Sequence, residues 1–252
     1  MITIKYPQIF ASLICFLSIA ANAQQWAIRP ELSLTSTRAK MINNSSGFKP
    51  QTSAYYNYPD ISLSVDYYNK YKNRWSLGLG TYSTGVSFQP NSFGNEGLFG
   101  FLFSGGSSSG TSGGVQLAIS YEQLMFPKMR SNWYLGGGLN SWFMKPGDGT
   151  GSNNFFGDAN ILSDSMFRIN AFTPGWHLRT TYVWKNKKDK EVIQFMLRVN
   201  GSFGIAQHRL IIRYDLLRPQ QLSNQVATYK LTGAGIQIGF SKTLVFIPRQ
   251  KK

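Results

Sequence analysis

Two-residue alternation in hydropathy, connections that switch between short and long, and aromatic side chains gathered beside the short ones predict an all-β fold. The pattern is that of an eight-stranded antiparallel up-and-down transmembrane β-barrel, with short turns at one end and long loops at the other. Composition agrees. The 252 residues carry 26 Lys+Arg against 11 Asp+Glu, a net charge of +15, yet only 15% of them are charged, against about a quarter in a soluble domain. With 42% hydrophobic residues the chain can bury a core, which excludes disorder.

The first residues speak for export. Lys5 precedes an apolar run from Ile9 to Ala20, and the run ends at the small-x-small site Ala21-Asn22-Ala23. This is the pattern of a secretory signal peptide over residues 1–23, leaving a single barrel domain over 24–252. The run is too short for a permanent membrane helix. Cys15, the one cysteine, lies inside it, so the mature chain is expected to hold no disulfide, thiolate metal site or cysteine nucleophile. Export also argues against nucleic acid as the partner of the basic charge, and no nucleic-acid motif accompanies it.

Eight strands are expected near 27–36, 59–69, 74–88, 114–126, 133–144, 165–184, 192–206 and 228–246. In the second, Ile61, Leu63, Val65 and Tyr67 alternate with Ser62, Ser64 and Asp66; in the third, Trp75, Leu77 and Leu79 alternate with Ser76, Gly78 and Gly80. The fourth sets Val115, Leu117, Ile119 and Tyr121 against Gln116, Ser120 and Glu122. In the sixth the alternation slips, and Pro174-Gly175 is expected to form a bulge. Ile193, Phe195, Leu197 and Val199 carry the seventh, and Ala234, Ile236, Ile238 and Phe240 the eighth. Connections are short at 69–73, 127–132 and 185–191 and long at 37–58, 89–113, 145–164 and 207–227, the rhythm of periplasmic turns and extracellular loops.

A bilayer offers no hydrogen bonds to an open sheet edge, so the sheet must close with its apolar face outward and its polar face inward. Aromatics flank each short turn as an interfacial girdle: Tyr67 and Trp75, then Tyr121, Phe126, Trp133 and Tyr134, then Tyr182, Trp184 and Phe195. The inward set comprises Arg29, Glu31, Asp66, Glu122, Arg168, Arg179 and Arg198, with Asn140, Asn170, Gln194 and Gln237. Eight strands leave an interior that side chains alone can fill. Buried charges must pair, so these residues are expected to form a salt-bridge network that plugs the lumen. The alternative is a narrow solute or ion path lined by the same arginines.

Two surfaces stand out. Lys70, Lys72, Arg74, Lys128, Arg130, Lys185, Lys187, Lys188 and Lys190 are expected to form a basic periplasmic rim at the short turns, opposed only by Asp189 and Glu191. Such a rim attracts anionic headgroups or an acidic periplasmic partner. In the second long loop, Leu98, Phe99, Phe101, Leu102 and Phe103 precede a Gly/Ser stretch and form a candidate contact site for a partner protein or lipid. Chemistry is sparse by comparison. His177 and His208 are the only histidines, with Asp215 seven residues beyond the second. No catalytic set, metal spacing or phosphate loop emerges, and no cofactor is expected.

On the cleavage site, the strand count and the final strand, the chain resembles the small eight-stranded outer-membrane β-barrels, such as OmpA-like transmembrane domains and porin-like barrels of didermic bacteria. Residues 237–246 look like the terminal signal that the barrel-assembly machinery reads in such proteins, although Lys242 stands where that pattern prefers an apolar residue. The resemblance implies outer-membrane lipid as the surroundings. The expected role is a non-enzymatic structural or interaction subunit; a narrow channel is the alternative.

Overall fold

The computed structural model describes residues 25–45, 51–53, 55–56, 59–89, 107–127, 131–144, 149–151, 154–156, 159–216 and 221–248. All regular structure among them is extended: β1 (Gln25–Asn44), β2 (Gln51–Ser53), β3 (Tyr55–Tyr56), β4 (Asp60–Tyr68), β5 (Arg74–Gln89), β6 (Ser107–Leu124), β7 (Asn132–Met144), β8 (Gly149–Gly151), β9 (Asn154–Phe156), β10 (Ala159–Arg168), β11 (Phe172–Lys185), β12 (Glu191–Ser202), β13 (His208–Leu216), β14 (Leu222–Ser241) and β15 (Val245–Pro248). Eight of these close a ring in the order β1, β4, β5, β6, β7, β11, β12, β14, and β14 pairs back onto β1. Every neighbouring pair is antiparallel.

The register fixes the shape. Starting at Gln25 and stepping across paired residues leads through Tyr68, Arg74, Glu122, Gly136, Arg179, Arg198 and Gln237 to Thr35, ten residues further along β1. A stagger of that size over eight strands tilts them by roughly 40° from the barrel axis, the usual inclination of a closed sheet. Side chains therefore alternate cleanly between lumen and exterior. Leu63, Leu79, Leu139, Leu178, Leu197 and Ile238 stand exposed on the outside, Leu178 at 60% and Leu139 at 61%, while their polar neighbours are buried within. In water such exposure would be unfavourable; against lipid it is the stable arrangement.

Outward-facing aromatics ring the short-turn end. Trp26 packs edge-on against Tyr67, Trp75 lies against Tyr121 with ring centroids 4.8 Å apart, and Trp133 meets Tyr182 at 6.0 Å. The Trp133 indole N–H donates to Thr180 Oγ1 at 2.6 Å, and the Tyr182 hydroxyl pairs with Ser131 at 3.1 Å. Apolar ring faces and satisfied polar tips suit the membrane–water boundary. Tyr134, expected in this girdle, instead points inward and is buried.

Two of the short turns share one construction. Asn69 Oδ1 accepts from the backbone N–H groups of Tyr71 and Asn73, and Asn186 Oδ1 accepts from those of Lys188 and Lys190. The fourth residue of each turn, Lys72 or Asp189, takes the left-handed conformation, with φ of 62° and 57°. Asparagine begins both because its side chain can mimic a turn of backbone. Asn69→Ala is expected to cost about 1 kcal/mol by removing these two bonds, read as a lower urea midpoint for refolding into vesicles, and Asn186→Ala should behave alike.

The upper wall differs from the sequence expectation in several places. The sixth predicted strand is two strands, because the chain leaves the sheet at residues 169–171, between β10 and β11. Pro174 and Gly175 are not a bulge; they pair in regular register with Ser141 and Asn140 of β7. Proline is tolerated there because β12 pairing stops at Gly175↔Ser202, so Pro174 has no partner strand on that side. The seventh strand ends at Ser202, and β13, expected to be loop, forms a hairpin with the first half of β14 while β10 pairs with β13. Gly233, at φ 78°, lets β14 pass from one partner to the other; an added Cβ there would strike the Gln207 side chain. In the last strand, the irregular residues 242–244 separate β14 from β15, and Lys242 and Leu244 still donate to Pro30 and Ile28 of β1.

In this extension the alternation reverses. Leu210, Ile212 and Tyr214 turn inward and are buried with Met166, Ala227, Tyr229 and Leu231, while Arg209 and Arg213 face out. Inside-apolar and outside-charged is the pattern of a sheet whose outer face meets water. The membrane-spanning part therefore ends below β10 and β13.

Candidate functional site: the charged lumen

Four arginines and four carboxylates among the described residues meet inside the barrel: Arg29, Arg74, Arg179 and Arg198 with Glu31, Asp60, Asp66 and Glu122, all buried. Arg29 grips Asp66 with two bonds of 2.7 and 3.1 Å and reaches Glu31 at 3.0 Å. Arg179 crosses from β11 to Glu31 at 2.8 Å, and Arg198 Nη2 lies 3.8 Å from the other oxygen of that carboxylate. Arg74 donates to Glu122 at 2.9 Å and to Gln194 at 2.9 Å, with Asp66 at 3.9 Å. Its guanidinium stacks on Tyr134, 4.8 Å from the ring centroid. Thr181 donates to Glu122 at 2.7 Å, and Asp60 accepts from Thr35 and Ser83.

The network fits because one wall is carved away. Facing the lumen on β4, β5 and β6 are Ser62, Ser64, Ser76, Gly78, Gly80, Ala118 and Ser120, and the long arginines of β11 and β12 reach across into this space. The cavity left between them measures about 10 Å³, no more than the room one water needs. Gly138 on β7 has a different use: a Cβ there would collide with the Ile119 carbonyl, so glycine permits the close approach of β7 to β6. A charge cluster this desolvated is stable only when each member is paired and hydrogen-bonded.

The sequence-selected residues divide accordingly. Arg29, Glu31, Asp66, Glu122, Arg179 and Arg198 share the network. Arg168 does not join it: the strand ends at this residue, which is exposed and donates to the Met144 carbonyl at 3.2 Å. Arg74 moves the other way, from the expected rim to the lumen, wholly buried against Glu122. Its signal was available, because Trp75 and Leu77 face outward and parity turns Arg74 inward with Ser76. Asp60 was missed for the same reason; it precedes outward Ile61, and counting it balances the four arginines. Lys70, Lys72, Lys187, Lys188 and Lys190 are exposed around the short turns, and Lys185 bridges to Asp189 at 3.2 Å. Lys128 and Arg130, residues 1–23, and the loop residues Leu98, Phe99, Phe101, Leu102 and Phe103 lie outside the described residues.

The two histidines sit on different strands, His177 on β11 and His208 on β13. His177 is buried in the lumen, and neither ring nitrogen makes a hydrogen bond among the described residues. His208 opens β13 and Asp215 nearly closes it, so seven extended residues put them about 23 Å apart. Burial, followed by the nearby Arg168 charge, lowers the His208 pKa to about 4. A folded-state pKa below the ordinary 6.5 means the unfolded chain binds the extra proton first, so stability falls as pH drops from about 6.5 towards 4. His208→Gln should flatten that slope, measured by protease resistance of the extension at pH 7 and pH 4.5.

A closed antiparallel ring of eight strands, with an apolar belt outside and paired charges inside, defines a transmembrane β-barrel of the outer-membrane kind. No protein-family model and no curated protein matches the sequence. Among solved structures, the chain is similar to the outer membrane protein OprG from Pseudomonas aeruginosa, with 10% identity and a TM-score of 0.50 over 88% of this chain and 97% of that one. At that identity the likeness is one of fold. A mutant of TodX, a monoaromatic hydrocarbon channel, aligns with 12% identity over 94% of this chain and 77% of that one, but its TM-score of 0.22 carries no argument.

Proposed function

We propose that this chain is exported through cleavage after Ala23 and resides in the outer membrane of a didermic bacterium as a closed, non-enzymatic barrel. It acts there as a structural or interaction subunit. The observation that carries this reading is the middle of the lumen: four arginines and four carboxylates cross it, and about 10 Å³ remains beside Arg179 and Arg198. Solute passage would require separating bidentate pairs such as Arg29–Asp66 in a desolvated interior, which costs several kcal/mol per ion. With the lumen occupied, work falls to the rims, to lipid contact and to a membrane or periplasmic protein partner.

Planar-bilayer recording tests it. Purified, heat-modifiable protein is expected to give no steady openings at moderate voltage. Sustained ion-selective conductance would replace this reading with that of a narrow channel lined by the same arginines.

A further inference from the structure

The short-turn end of the barrel opens into a cup with a cavity of about 580 Å³. Its inner end is formed by Tyr68, Tyr134, Val183 and Gln194, directly beneath the Arg74–Glu122 pair. Tyr68, Tyr134 and Val183 pack together with Leu124 as an apolar cluster. The cup's mouth is basic. Lys70, Lys72, Lys185 and Lys190 line it, with Asp189 and Glu191 as the acids.

Those acids are already engaged. Asp189 pairs with Lys185, and both Glu191 oxygens accept from Thr243, one from its backbone N–H at 2.7 Å and one from its hydroxyl at 3.0 Å. Lys70, Lys72 and Lys190 make no ion pair among the described residues, and the Asn69 and Asn186 turns hold their backbone at the cup's edge. Lys70 Nζ lies over the neighbouring Tyr71 ring, 4.9 Å from its centroid. An apolar aromatic base beneath a basic mouth suits one kind of guest, and the volume lies within the roughly 300–1,000 Å³ of small-molecule pockets. A bare ion would leave the tyrosine base unused, and a neutral ligand would leave the lysines unused.

We infer that this cup binds a small organic anion, its carboxylate or phosphate head among Lys70, Lys72 and Lys190 and its apolar body on Tyr68, Tyr134 and Val183. The inference goes beyond the closed-scaffold reading, and a binding readout fails independently of a conductance one. The probe is trifluoromethylbenzoate, followed by ¹⁹F NMR against purified barrel in nonionic detergent, with trifluoromethylbenzyl alcohol as its neutral counterpart and inorganic phosphate as competitor.

Saturable binding of the benzoate is expected, weakening as salt rises. The triple variant Lys70→Glu/Lys72→Glu/Lys190→Glu should weaken it at least about tenfold. Lys187→Glu/Lys188→Glu, which changes exposed rim lysines that do not line the cup, should leave it unchanged. Retained heat-modifiable mobility certifies that both variants are folded. Absence of saturable binding, an equal loss in both variants, equally strong binding of the alcohol, or phosphate competing as tightly as the benzoate itself would each overturn the assignment.

Discussion

Glu122→Ala destabilises the folded barrel by about 3–5 kcal/mol, the usual consequence of removing one partner from a buried ion pair. Glu122 accepts from Arg74 and Thr181 and lies 3.6 Å from Arg179, so its loss takes from Arg74 its nearest carboxylate, with Asp66 next at 3.9 Å, and leaves Arg179 to Glu31. The check is the urea midpoint of refolding into lipid vesicles, followed by the shift between unboiled and boiled bands on gels. A second variant separates orphaned charge from lost packing. Arg74→Met/Glu122→Leu removes both partners and should recover much of the loss, because replacing a whole pair with apolar groups of similar volume is often near neutral. Equal destabilisation by the single and double variants would mean that packing, rather than unpaired charge, dominates at this position.

The exterior gives the second large effect. Leu197 stands midway along β12, exposed at 44% between Thr180 of β11 and Ile238 of β14. Leu197→Arg places a cation in the middle of the apolar belt, where it costs about 2–4 kcal/mol. Lys242 supplies the contrast. It also faces outward, but beside the end of the last strand, where a long stem can carry its ammonium to the interface, and Lys242→Leu should change stability by no more than about 1 kcal/mol. A Leu197→Arg cost no larger than the change from Lys242→Leu would contradict the assignment of a lipid belt.

The barrel itself was legible because lipid outside and charge inside impose one rule, alternation, along every spanning strand. Where the rule's premise ended, the reading ended with it. Leu210, Ile212 and Tyr214 also alternate, but with the opposite sense, since the outer face of β13 meets water, and a rule written for lipid-facing strands does not reach them. Arg168 failed for a related reason: parity counts only while a strand continues, and β10 stops there. Arg74 and Asp60 show the converse, residues on true strands whose direction followed from neighbours already assigned. The partners within the lumen were not legible at all. That Arg179 pairs with Glu31, 148 residues away in sequence, depends on the stagger with which the ring closes, and hydropathy carries no trace of it.

That pairing has a bearing on how long the barrel lasts once formed. Glu31 belongs to the first strand, and the arginines that hold it include Arg179 and Arg198 from the sixth and seventh strands of the ring. Beside them, Gln237 on the last ring strand donates to Ser33 on the first at 2.7 Å. The two ends of the sheet are thus joined by ladder hydrogen bonds in the wall and again by side chains across the bore. Prying β1 from β14 must also pull apart charges buried in the interior. The closing seam, the natural weak line of any barrel, is latched from within. The lifetime of the folded state is then set by the barrier to opening that latch more than by its equilibrium stability.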